Sequence, residues 1–142
     1  MTRRVVLATA LFSAFAMLVF AQDREEEKLA LPPYVVKTQP ENRAIDVGPT
    51  LREIKVTFDR KMDVNRSWSW IIHRHLGAYP GSRDLGEPRW ENEGRTCVLP
   101  VRLRPNTVYA VGCNSIRHTG FRDRNGRIAV PHVWIFKTGP VE

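Results

Sequence analysis

The chain has 142 residues, with 22 Lys and Arg against 15 Asp and Glu (net +7), 42% apolar residues and two cysteines. That length holds one ordinary domain plus a short appendage, which excludes a multi-domain enzyme. The apolar share and four Trp exclude a disordered chain, and two Cys are too few for a disulfide-dense miniprotein or a four-thiolate zinc site.

Residues 1–21 read as a signal peptide. Arg3 and Arg4 precede the uninterrupted apolar or small-residue run Val5–Phe20, and Val19-Phe20-Ala21 offers compact residues ahead of a cut before Gln22. The run is shorter than the roughly 20 residues of a membrane span. No second run of spanning length follows, so the cleaved product is expected to be periplasmic or secreted, with no membrane span and no anchor at Glu142. Residues 22–31, with Asp23 and Glu25-Glu26-Glu27, read as an acidic flexible linker.

Removing the leader leaves 20 Lys and Arg against 15 Asp and Glu, a net +5. Residues 32–139 alone hold 18 cations, 14 of them Arg, against 10 carboxylates, a net +8. An exported chain rarely meets chromosomal DNA and no nucleic-acid motif is present, so the basic surface is expected to face an anionic cell-surface polymer or an envelope protein.

From Pro32 the pattern is all-β, with short runs separated by turn residues every 8–15 positions. Tyr34–Thr38 is the first run. In Glu53–Phe58 the residues Ile54, Val56 and Phe58 share one face, since strand side chains alternate. Trp68, Trp70 and Ile72 repeat the period. His73–Arg89, rich in Gly and Pro, is the longest irregular connection and the expected place for a binding loop. Cys97, Leu99, Val101 and Leu103 form the next inward set, although Pro100 predicts an edge or bulged strand. Tyr109, Val111 and Cys113 follow. Pro105-Asn106 just before Tyr109 fits a tyrosine corner, which pins a Greek-key crossing. Asp123-Arg124-Asn125-Gly126 is a tight turn; it lacks the later ligands of a calcium loop, so Asp123 reads as an Asx-turn residue. Trp134 and Phe136 mark the last strand. The expectation is about seven strands in two antiparallel sheets.

These residues resemble a known family. Pro33–Lys61 leading into Met62-Asp63, together with Phe121-x-Asp123-x-x-Gly126 and Trp134-x-Phe136-x-Thr138-Gly139, looks like the bacterial Ig-like domain of the S-layer (SbsA) type. The resemblance covers essentially all of 32–139. It implies an Ig-like β-sandwich on an exported protein, structural or adhesive, with no catalytic residues to carry over. Trp68-Ser69-Trp70 and His73–Trp90 depart from the family pattern. An Ig-like sandwich places a Trp on its third strand, so Trp68 and Trp70 are read as core with Phe58, Tyr109, Trp134 and Phe136.

Cys97 and Cys113 lie on inward phases, and sequence leaves open a core-spanning disulfide or two buried thiols. His73 and His75 share one side of an extended segment and, with His118, His132 or Asp84, would be the nucleus of a copper or zinc site. An intervening Arg74 and the missing third ligand argue against it, so no metal or other cofactor is expected. Pro40–Phe58 also resembles the CopC kind of exported copper carrier, whose mature N-terminal His is replaced here by Gln22-Asp23. Tyr79 and Trp90 are the candidates for an aromatic platform that would stack on sugar rings. Ser67, Ser69, Ser82 and Ser115 lack a Gly-x-Ser-x-Gly context, so the chain reads as a non-enzyme.

Overall fold

A computed structural model describes residues 3–65 and 68–141; Ser67, named above, lies outside them. The chain forms two compact units, Met1–Pro32 and Pro33–Glu142. The first is one helix, α1 (Arg3–Ala30), so the stretch expected as a flexible linker is helical. Glu25–Lys28, Leu29 and Ala30 are strong helix formers, and Pro32-Pro33 ends the run because proline lacks the N–H and clashes with the preceding turn. Leu11, Phe12, Phe15 and Phe20 are exposed along it. Among the described residues no helix is long and apolar enough to cross a membrane.

The second unit carries seven strands: β1 (Val35–Gln39), β2 (Glu53–Phe58), β3 (Trp70–Ile72), β4 (Arg89–Glu91), β5 (Thr96–Pro100), β6 (Val108–Cys113) and β7 (His132–Lys137). They form two sheets, in the orders β1-β2-β5-β4 and β3-β6-β7, with every strand pair antiparallel. This is the strand order of a constant-type Ig sandwich.

Alternation along the strands builds the core. Ile54, Val56 and Phe58 of β2 are buried while Glu53, Lys55 and Thr57 are half-exposed on the outer face. Tyr109, Val111 and Cys113 of β6 meet them with Trp134 and Phe136 of β7. Phe121, from the β6–β7 connection, packs at 5.2 Å on Phe58, 5.4 Å on Trp70 and 6.0 Å on Trp90, so one ring ties both sheets together. The Tyr109 hydroxyl accepts the Arg104 N–H at 2.7 Å, closing the corner between β5 and β6.

One expectation fails. Pro100 does not mark an edge, because β5 lies between β2 and β4. Phe58 N–H bonds to Arg95 O, so the alternation of bonded pairs turns the Pro100 nitrogen towards the β4 side. There β4 begins only at Arg89, opposite Val98, and no ladder bond is lost.

Two buried polar groups organise the loops. Arg60, 5% exposed, bonds Asp59 at 3.0 Å and Asp123 at 3.3 Å. Asp123 also accepts the N–H groups of Asn125 and Arg127, the Asx-type turn. The Asn114 amide donates to Phe121 O and Ala129 O and accepts Phe121 N–H, which holds the long β6–β7 connection against the core.

A candidate binding groove beside an open strand edge

The two outer edges of the β3-β6-β7 sheet are built differently. On the β7 side, Asn42–Val47 runs along the strand: Arg43 N–H reaches Ile135 O, Lys137 N–H reaches Ala44 O at 2.9 Å, and Val47 N–H reaches Lys137 O at 3.1 Å. The Asn42 side chain accepts the Ile135 N–H at 3.0 Å. On the β3 side, Ser69 O accepts Asn114 N–H at 2.9 Å. Bonded pairs alternate along an antiparallel ladder, so Ile71 is next to bond, with Gly112. Trp70 and Ile72 therefore aim their N–H and C=O groups away from β6. Among the described residues no backbone group meets them.

That edge borders a groove of about 1020 Å³, at the upper end of the usual size of ligand pockets, about 300–1,000 Å³. Trp68, Trp70 and Tyr79 supply its aromatic surface, Leu99 an aliphatic one, and Arg83, Glu87 and His118 its charged and titratable groups. The chain reaches the far wall because Ala78 returns to β6, its N–H on Val108 O and its C=O on Ala110 N–H, each at 2.9 Å. Gly81 lets the Tyr79 ring lie against the turn, since a Cβ there would stand 2.9 Å from Cε1. Burial, with the Cys113 thiol nearby, pushes the Tyr79 phenol up to about 12. Ser82 donates to Asp84, which also holds Arg102. The same loop carries Ile116, 98% exposed.

The other expected sites fall elsewhere. Tyr79 lines the groove, but Trp90 turns inward against Phe58 and Phe121, its Nε1 buried, so the two do not form one platform. The His73 and His75 rings meet at 5.8 Å. His73 lies over Gly112, where a Cβ would stand 2.6 Å from Nε2, while His118 lines the groove and His132 packs on Trp134. Among the described residues no group of three or more His, Cys, Asp or Glu is placed to hold a metal ion. Cys97 and Cys113 are free thiols buried in the core. Burial pushes Cys97 up to about 12 and Cys113 well above its ordinary value, so neither is a thiolate near neutral pH. Sequence reasoning missed the open edge itself: it read the run as Trp68, Trp70 and Ile72, whereas the strand is only Trp70–Ile72, and which edge stays open depends on pairings distant in the chain.

Residues 30–138 match the family described as bacterial Ig-like domain. The chain belongs to that family. This Ig-like domain is similar in fold to CopC from Methylosinus trichosporium OB3b, at 16% identity and a TM-score of 0.54, over 78% of this chain and 96% of that one. It is also similar to the S-layer protein rSbsC, at 19% identity and a TM-score of 0.50, over 84% of this chain and 15% of that one. At these identities the likeness is one of fold. Comparison with curated proteins found no match.

Proposed function

We propose that this chain is an exported, non-enzymatic Ig-like module of the cell envelope that binds a partner at the groove beside β3. The observation that carries the reading is the contrast between the two edges: the fold covers β7 with its own backbone and, among the described residues, lays no backbone on the outward groups of Trp70 and Ile72 above a groove with aromatic and charged walls. The charged and apolar leader sequence supports export, and membership in the bacterial Ig-like family supports binding without chemistry. The +8 of residues 32–139 favours a partner with anionic character.

Capture from the native envelope fraction tests the reading, with the intact chain as bait and the Trp68→Ala, Tyr79→Ala double variant as control. A partner retained by the first and lost by the second is expected. Equal retention by both would remove the groove from the account. Titration with copper or zinc tests the carrier alternative built on His73 and His75, and tight metal binding lost in a His73→Ala variant would favour it. N-terminal sequencing of the exported product should begin at Gln22.

A further inference from the structure

We propose that the groove takes an extended, net acidic polypeptide segment that adds as a fourth strand to the β3-β6-β7 sheet, hydrogen-bonding to the backbone of Trp70 and Ile72. The inference rests on the binding reading above and specifies its mode. Strand addition needs three things: free N–H and C=O groups on an edge, room for a chain beside them, and walls for alternate side chains. The register supplies the first, since Ser69 and Ile71 spend their groups on β6 while Trp70 and Ile72 face outward. The groove supplies the second.

The walls supply the third. Successive side chains of an added strand point to opposite faces, so every second one would turn inward towards Trp70, Leu99 and Tyr79 and prefer to be apolar. The others would point outward and remain polar. Arg83 stands on the rim with no ion-pair partner among the described residues, whereas the nearby Asp84 already holds Arg102. Glu87 lines the same groove and offsets Arg83, so it is the domain's net +8 that favours carboxylates at the outward positions. The segment Gly81–Pro88 stands across from β3, so the open edge forms one side of a cleft. A cleft admits a single extended chain and obstructs the broad edge-to-edge approach of a second sandwich.

The test uses the full chain and synthetic peptides of about six residues that alternate Val or Ile with Glu. Each peptide is paired with versions N-methylated on one or the other set of alternate amides, with binding followed by calorimetry and by amide NMR shifts. Expected is binding that shifts the Trp70 and Ile72 amides and weakens at least about tenfold when the edge-facing amides are methylated, because several backbone bonds are lost together. Methylation of the other set should leave most of the affinity. The Ile72→Pro variant should lose the same affinity, and the methylated peptides give the answer even if that variant folds poorly.

Equal binding by all methylated forms, with Trp68→Ala, Tyr79→Ala still abolishing it, would keep the groove as a binding site and overturn strand addition. No peptide binding, or binding that moves amides elsewhere, would overturn the proposal. A concentration-dependent dimer abolished by Ile72→Pro would assign the edge to a second copy, and groove binding of cell-wall polysaccharide would assign it to a glycan; either result overturns it.

Discussion

The two edges of the three-stranded sheet solve the same problem in opposite ways. An exposed edge is a template for pairing with another chain, and natural sheets blunt it by covering, shortening or charging it. At β7 the chain covers the edge with its own segment Asn42–Val47, and accepts left-handed backbone at Arg43 (φ 66°) and Asp46 (φ 56°) to do so. At β3 the strand is only three residues long and ends at a turn, and among the described residues no segment is laid along it. Covering one edge and leaving the other open beside a groove separates the stabilising side of the sheet from its binding side.

That comparison can be broken in graded steps. The largest effect should come from the ring shared by the whole core: Phe121→Ala should cost about 3–5 kcal/mol by chemical denaturation and loosen both edges alike. Asp123→Ala should follow, at about 3–5 kcal/mol, since it removes a carboxylate from buried Arg60 and two acceptor bonds from the Asp123–Arg127 turn. If either variant disturbed β7 alone, the two sheets would not share one core.

A proline at each edge sharpens the contrast, because it leaves the bonds to β6 intact at both places. Lys137→Pro removes the N–H that meets Ala44 and should cost about 1–3 kcal/mol. Ile72→Pro removes an N–H that meets no backbone acceptor among the described residues and should stay within about 1 kcal/mol of the parent. Equal losses would mean that the β3 edge is paired after all. Asn42→Ala, which frees the Ile135 N–H, should cost about 1 kcal/mol and speed exchange at that amide.

The last effect is one of pH and lies outside the physiological range. The Tyr79 phenol titrates at about 12 in the folded domain, against an ordinary value of 10.0. The protonated phenol is therefore favoured by folding. Its contribution should be complete below pH 10 and lost as pH rises through 12. The absorbance titration of the parent should show a late phenol that Tyr79→Phe lacks, and coincident titrations would place Tyr79 in solvent.

Much of the fold was legible in the sequence, because it is written in local pattern. The alternation of Ile54, Val56 and Phe58, the Tyr109 corner and the Asp123 turn each depend on neighbours a few residues away. The edges depend on distant pairings. Nothing in the turn-like Asn42–Val47, half polar and half apolar, says that it will lie along β7, more than ninety residues on by the Asn42 to Ile135 bond (|i−j| = 93). Arg60 sits between Asp59 and Lys61 and reads as solvated surface; only the return of Asp123 buries it. Trp90 looked exposed because its loop is rich in Gly and Pro, yet its three-residue strand pairs with β5 and turns the ring onto Phe58.

Amide hydrogen exchange on the free chain reads both edges of the three-stranded sheet at once. Rapid exchange is expected at Trp70 and Ile72, with strong protection at Ile71, which bonds to Gly112, and at Lys137, which bonds to Ala44. Protection at Ile72 equal to that at Lys137 would contradict it, because the edge assigned to a partner would already be closed.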